Sequence, residues 1–178
     1  MDLEKLKYPI GKPQIPTQIT EVHISEWIHV LEKFPQKLES LVKQLSETQL
    51  DTKYRPDGWT IRQVIHHVAD SHHNSYTRFK WTLTEDKPVI KAYYEDRWAE
   101  LFDSKKAPIT LSIATIKALH AKWVYLLKGL TDSDLDQVFI HPEGKEEVSL
   151  KENIGIYAWH CNHHYAHIEQ LMICKGWK

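Results

Sequence analysis

The chain has 178 residues, which predicts one domain that buries roughly two thirds of the surface its unfolded form would expose. Its 23 Lys and Arg nearly balance 24 Asp and Glu, so no broad basic field exists to attract nucleic acid or an anionic membrane. Histidine is the outlier, with 12 residues.

The N-terminal segment MDLEKLKYPIGKPQIP carries acidic residues early and contains no apolar run of signal-peptide length. No later segment is apolar enough to span a bilayer, so the sequence predicts a cytoplasmic protein without a membrane partner. Cys161 and Cys174 fall on one predicted helix, about 20 Å apart at a rise of about 1.5 Å per residue. That distance excludes a disulfide between them, and we expect two reduced thiols.

Proline, glycine and polar clusters divide the chain into four long segments with helical periodicity. The first spans residues 25–45 and contains Pro35, which should kink it. The second spans residues 60–83 and opens with a capping-box pattern, because Gln63 follows Thr60 by three positions.

The second half of the chain begins with a less regular stretch. Residues 86–109 hold two prolines and one short amphipathic piece around Trp98, Leu101 and Phe102, which predicts a partly structured connection. A third helix at residues 110–130 follows. Residues 138–150 are typical of a short hairpin. Another capping box, Ser149 with Glu152, then opens the fourth helix.

These elements predict an all-α fold, a four-helix bundle. A long connection joins helices 2 and 3, and a short hairpin precedes helix 4.

The fourth predicted helix contains WHCNHHYAHIEQ, residues 159–170, with four histidines in eight positions. They form two pairs four residues apart, the spacing at which two imidazoles on a helix can converge on one ion. Counted at about 100° per residue from the apolar stripe, His160 and His164 lie at the border between core and surface. They are therefore the inward pair. We expect His163 and His167 on a solvated or interface face.

A third ligand must come from another element, because zinc sites take three or four protein ligands. The second helix offers VIHHVADSHHNS, in which His72 falls inside the apolar stripe and is typical of a core histidine satisfied by hydrogen bonds. His66 and His73 point away, and His67 falls on a polar strip that borders the core. Periodicity alone leaves His67 only slightly favoured. His120 faces inward on the third helix. It either hydrogen-bonds to a metal ligand or is a core histidine satisfied by other hydrogen bonds.

Several other metal patterns are missing. The protease motif H-E-x-x-H is absent, because Cys161 follows His160 where the glutamate base would stand. Cys161 lies on the same side of the fourth helix as the apolar core stripe, so we interpret it as a packing residue. The sequence contains neither Cys-x-x-Cys nor a glycine-rich phosphate loop.

Segments along nearly the whole chain carry a family resemblance. They are YPIG at residues 8–11, GWTIRQVIHHVADSHHNSY at 58–76, RWAELFDSK at 97–105 and IYAWHCNHHYAHI at 156–168. Together they closely resemble the YfiT-type metal-dependent hydrolases of the DinB superfamily. The resemblance implies one domain over residues 1–178, a cytoplasmic homodimer, and one zinc or nickel ion held by three histidines.

Carried over by motif, the resemblance implies a specific ligand set. Its members are His67, the second histidine of V-x-H-H, and His160 and His164, the first and last histidines of W-H-x-x-H-H. This set agrees with the inward pair on the fourth helix and decides the choice on the second. The implied cofactor is one divalent ion per chain, with Zn²⁺ ahead of Ni²⁺.

Three neutral imidazoles would leave such an ion its full charge and an open position, where the pKa of a water ligand falls to near 7. We therefore expect hydrolysis of an unidentified small molecule, without a nucleic-acid partner. The sequence does not identify catalytic residues. Asn74, Arg78 and Asn153 share helix faces with the ligands and are candidates for orienting a substrate. Glu95 or Asp96 on the connection can supply an acid or base.

Two alternatives stay open. Other members of the superfamily resemble thiol-dependent transferases, in which a metal lowers the pKa of a cofactor thiol such as bacillithiol. A structural or sensory metal site without catalysis is the second alternative. Ile156 and Trp159 lie on the side of the last helix away from the core stripe, and this apolar face is a candidate dimer interface.

Overall fold

The computed structural model describes residues 3–177. In chain order the elements are α1 (Leu3–Lys7), α2 (Glu21–Val42), α3 (Glu47–Leu50), α4 (Ile61–Thr82), α5 (Glu95–Ala99), α6 (Phe102–Lys106), α7 (Ile109–Leu127), α8 (Asp132–Leu135), β1 (Val138–His141), β2 (Glu146–Ser149) and α9 (Leu150–Lys175). The four long helices are α2, α4, α7 and α9. They confirm the predicted four-helix bundle, including the long connection before α7 and the hairpin before α9.

Each long helix packs against two others. Both α2 and α4 contact α7 and α9, so the apolar faces of all four meet along one axis. The largest completely buried side chains are Trp123, Phe79, Phe139, Leu31 and Leu38. In the described part of the chain, no helix combines the length and apolar character needed to cross a membrane.

Capping explains where the long helices begin. The Thr60 and Gln63 side chains each accept a hydrogen bond from the other residue's backbone amide, at 3.2 and 2.9 Å, and Ser149 opens α9 with Glu152 in the same way. The first long helix begins at Glu21, four residues earlier than predicted. Its capping box uses His23 in place of the usual glutamate or glutamine, so the sequence pattern did not show it. This helix continues through Pro35.

The connection between α4 and α7 is anchored by buried polar side chains of α4. Gln63 Nε2 donates to the Ala99 carbonyl at 2.8 Å, and His66 Nε2 donates to the Ala107 carbonyl at 3.1 Å. The apolar side chains predicted to define this piece stay exposed, and Phe102 is 81 % exposed. Hydrogen bonds to side chains of α4 therefore position the connection more than burial of Trp98, Leu101 and Phe102 does.

The hairpin lies between α8 and α9. Its strands are antiparallel, with Val138 opposite Ser149 and His141 opposite Glu146. The connection reaches back to it, because the Ile90 amide donates to the Ile140 carbonyl at 3.1 Å. The hairpin therefore ties the start of the connection to the helix that carries two of the candidate ligands.

The N-terminal segment lies along α9. Gly155 permits this close approach, because a Cβ there would lie 2.9 Å from both Ile15 Cδ1 and Trp27 Cη2. Farther along the helix, Trp159 Nε1 donates to the Gly11 carbonyl at 3.1 Å. The segment thus covers a face of α9 that the helical pattern alone would leave open.

Candidate metal centre

Three imidazoles from two helices converge at one point. His67 comes from α4, and His160 and His164 come from successive turns of α9. The His160 Nε2 atom lies 3.3 Å from His67 Nε2 and 3.2 Å from His164 Nε2. The structure therefore brings together the three residues that the sequence proposed as ligands.

These distances fit a tetrahedral metal ion. Zinc–nitrogen bonds of about 2.0–2.1 Å place neighbouring ligand nitrogens about 3.3 Å apart at a tetrahedral angle. The potential ligand atoms of the three residues all lie within 4.8 Å of one another, and the group gains no fourth His, Cys, Asp or Glu within the described chain. His67 and His164 are each 7 % exposed, whereas His160 is half-buried. Such a donor set fits one divalent ion with a coordination position left for solvent or substrate.

Burial keeps all three rings neutral near pH 7. Burial, with a smaller contribution from nearby His167, lowers the pKa of His67 to about 4. Burial also lowers the pKa values of His160 and His164 well below their ordinary value, with the neighbouring imidazoles acting in the same direction. Neutral imidazoles offer lone pairs to a metal without competition from protons.

Two cavities are lined by an aromatic side chain whose ring lies close to that of a candidate ligand. One, of about 690 Å³, is lined by Trp59, whose ring centroid lies 4.6 Å from that of His67. The other, of about 580 Å³ and mostly apolar, is lined by His167, whose ring centroid lies 5.4 Å from that of His164. Trp59 was not among the sequence-predicted site residues, because it precedes α4 and belongs to no periodic stripe.

His163 and His167 were expected on a solvated or interface face, and the expectation of solvent exposure is wrong. His163 is 7 % exposed and stacks on Trp159, with ring centroids 4.3 Å apart. His167 is 4 % exposed, donates through Nε2 to the Lys7 carbonyl at 3.0 Å, and stacks on Tyr54. Both rings are buried because segments outside the four long helices close over this face of α9.

The same covering affects the candidate dimer interface. Ile156 and Trp159 are half-buried, and Ile156 packs against the hydrophobic core. The Gly11 carbonyl accepts the indole hydrogen of Trp159. This face is thus partly occupied by the chain itself, and the homodimer stays a prediction.

His72 and His120 are buried and hydrogen-bonded, as predicted for core histidines. His72 Nδ1 lies 2.7 Å from His120 Nε2, and His72 Nε2 lies 3.0 Å from His160 Nδ1. His66, by contrast, is bonded away from the centre, through Nδ1 to the Ser112 hydroxyl at 2.7 Å. One of the core histidines therefore contacts a candidate ligand directly.

A second group of potential ligand atoms is formed by His72, His120 and Cys161. Both nitrogens of each imidazole are already engaged in hydrogen bonds, which leaves no free lone pair for an ion. Burial raises the pKa of the Cys161 thiol well above its ordinary value, so the sulfur keeps its proton. This group is a poor metal site, and Cys161 lies in the hydrophobic core as predicted.

The proposed substrate-orienting and acid–base residues are spread around the bundle. Asn153 is buried and donates to the Ser75 hydroxyl at 3.0 Å, and Asn74 donates to the Asp70 carbonyl at 2.9 Å. Each of these amides is therefore engaged within the bundle.

The remaining candidates differ in exposure. The Nε atom of Arg78 is buried without a hydrogen-bond partner in the described structure. Glu95 and Asp96 are exposed at the start of α5. Asp96, unlike Glu95, lines the same 690 Å³ cavity as Trp59, whose ring packs against that of His67.

Helical bundles build metal sites from side chains on facing helices. Three converging histidines on α4 and α9 are the features of this metal-binding class of four-helix bundle. The family model that matches residues 31–168 is that of the DinB superfamily, and the chain belongs to that family. It is 50 % identical to a protein of Oceanobacillus iheyensis over 96 % of this chain and 98 % of the relative. It is 47 % identical to YfiT of Bacillus subtilis over 97 % of each chain. Both carry the name "Putative metal-dependent hydrolase".

A solved structure of YfiT superposes on this chain with a TM-score of 0.96. The two share 46 % sequence identity, and the match covers 98 % of this chain and 99 % of the other. That structure is described as a probable metal-dependent hydrolase with an unusual four-helix bundle topology.

Proposed function

We propose that this protein is a metal-dependent hydrolase of a small molecule. His67, His160 and His164 hold one divalent ion, for which Zn²⁺ is the first candidate. The observation that carries the proposal is the convergence of three Nε2 atoms without a fourth side-chain ligand among the described residues. Structural zinc sites are usually closed by four protein ligands, whereas catalytic sites use three and keep one position open. The names of the relatives support the same reaction class.

A divalent ion in this position supplies Lewis-acid chemistry, lowering the pKa of water and polarising a carbonyl or phosphoryl oxygen. The chain contributes the geometry. The opposed helices α4 and α9 hold the imidazoles at fixed separations, and Trp59 covers one side of His67. Partial exposure of His160 leaves a route for solvent and substrate.

The cavity beside Trp59 is the proposed approach for the substrate. Its volume of about 690 Å³ suits a small molecule, and its walls carry both signs of charge. Asp96 is the proposed proton acceptor on this side, because it lies on the cavity wall and is exposed. Lys53 and Lys106 on the same wall can attract an anionic part of the substrate, whereas Lys105 is paired with Glu100.

Removal of the metal is expected to leave the bundle folded. The core is a continuous cluster of apolar side chains from all four long helices, so folding does not depend on an ion. Circular dichroism before and after treatment with a chelator should show less than about a tenth of the helical signal lost. Collapse of the helices on chelation would instead assign a structural role to the metal.

The hydrolase proposal is tested with zinc-loaded protein and a panel of model esters, amides and phosphoesters. Metal-dependent cleavage that disappears on chelation and in His160→Ala supports the proposal. A second panel combines a low-molecular-weight thiol with an electrophile. Activity confined to the thiol panel would overturn hydrolysis in favour of thiol transfer at the same ion.

A further inference from the structure

Three histidines from three helices connect the backbone of α2 to the candidate metal centre, and two of them, His72 and His120, are buried. His120 Nδ1 lies 2.7 Å from the Leu31 carbonyl oxygen. His120 Nε2 lies 2.7 Å from His72 Nδ1, and His72 Nε2 lies 3.0 Å from His160 Nδ1. The remaining nitrogen of His160 is the Nε2 atom at the centre of the three-imidazole site. We call this series the histidine relay.

The hydrogen bonds of the histidine relay all run in one donor-to-acceptor direction. A carbonyl oxygen can only accept, so His120 Nδ1 must donate to Leu31. A neutral imidazole has one N–H and one lone pair, so His120 Nε2 accepts from His72 Nδ1. By the same rule His72 Nε2 accepts from His160 Nδ1. The proton of His160 is therefore on Nδ1, and its Nε2 lone pair faces His67 and His164.

We propose that His72 and His120 are positioning residues that hold His160 in the Nδ1–H tautomer and fix its ring orientation for metal binding. This inference rests on the proposed metal site. A metal-bound histidine commonly donates its other ring N–H to a carbonyl or carboxylate, and such partners strengthen metal binding. Here that partner is another imidazole, whose own orientation is set by a third imidazole and a main-chain carbonyl.

The surroundings make the relay rigid. His72 and His120 are 0 % and 1 % exposed, so water does not compete for their nitrogens. Phe34 packs on both rings, with centroids 5.8 and 5.6 Å away. The contrast with His164 is informative, because its Nδ1 is buried without a hydrogen-bond partner in the described structure. Within the described chain, the relay thus specifies the tautomer of one ligand of the α9 pair and not the other.

The first test reads the tautomers directly. In metal-free protein labelled with ¹⁵N in the histidine rings, long-range proton–nitrogen spectra distinguish Nδ1–H from Nε2–H for each ring. His120, His72 and His160 are expected as Nδ1–H near pH 7.5. A spectrum showing His160 protonated on Nε2 would overturn the inference, whatever the fate of any variant.

The second test breaks the relay. His72→Phe keeps an aromatic ring but removes the acceptor for His160, and we expect zinc affinity to fall by about 10- to 100-fold in competition with a chromophoric chelator. His72→Gln offers a carbonyl to His160 and an amide to His120, so it should recover most of that affinity. The matched control is His66→Phe, which removes a buried, hydrogen-bonded histidine of the same helix that lies outside the relay. It should bind zinc as the unmodified protein does.

These outcomes separate the relay from the metal site itself. Affinity of folded His72→Phe within twofold of the unmodified protein would overturn the relay, as would a folded His72→Gln that binds as weakly as His72→Phe. Failure of the unmodified protein to bind any divalent ion would overturn the proposed function, while the tautomer spectra would still decide whether the relay exists.

Discussion

His67→Ala is expected to lower the metal content of the purified protein from about one ion per chain to less than about a tenth of that. His67 is the proposed ligand from α4, and its removal leaves only the pair on α9. Two imidazoles rarely retain zinc, because functional sites need at least three protein ligands. Elemental analysis after dialysis against metal-free buffer measures the loss, and zinc titration measures the accompanying change in affinity.

The control for this experiment is His73→Ala. His73 is exposed on the same helix, six residues farther along, so its removal deletes an imidazole without touching the centre. It should retain the full metal content. His67→Ala that kept one tightly bound ion per chain, with its helical signal intact, would show that the ion binds elsewhere and would refute the proposed ligand set.

The helical pattern selected the proposed α9 ligands because both lie on one helix, where the apolar stripe predicts which side chains face inward. His160 and His164 lie on the border of a single apolar stripe, and the structure places them at the edge of the core. The same criterion placed His66 away from the core and favoured His67 only slightly, because α4 is covered on more than one side. The connection buries His66, and Trp59 packs on His67, so both are buried. The family motif was therefore needed to decide on His67.

The prediction failed where tertiary contacts come from irregular segments. His167 was expected on a solvated or interface face, yet the Lys7 carbonyl and the Tyr54 ring cover it. Neither contact leaves a periodic signal in the sequence. His72 illustrates a different limit. Its burial followed from the apolar stripe, but its partners lie on other helices, so only the assembled bundle shows that it contacts His160.

Acidification is expected to destabilise the metal-free protein between pH 6.5 and about 4. Burial lowers the pKa of His67, His120 and His167 to about 4 and that of His163 to about 3. In the unfolded chain each returns to about 6.5. In this window the unfolded state binds more protons than the folded state, so the free energy of unfolding falls as the pH falls. Above about pH 6.5 this contribution to stability is fully present.

The expected size of the effect is several kcal/mol. A pKa lowered from its ordinary value to about 4 corresponds to about 3 kcal/mol for one buried histidine such as His120, and several histidines act together. Asp70 opposes them, because burial and nearby Asp103 raise its pKa to about 6, and its protonation favours the folded state as the pH falls. Asp70 is half-buried, so solvent weakens its contribution. The histidines therefore determine the sign.

Urea unfolding of the chelator-treated protein at several pH values from 7.5 to 4.5 measures this dependence. Two variants change its slope in opposite directions. His120→Gln removes one titrating histidine and should reduce the slope by about 1.4 kcal/mol per pH unit. Asp70→Asn removes the opposing group and should make the slope steeper. A free energy of unfolding that stays constant or rises as the pH falls from 6.5 to 4.5 would mean that the buried imidazoles accept protons without unfolding. The neutral lone pairs that the metal site and the histidine relay both require would then be absent at the lower end of that range.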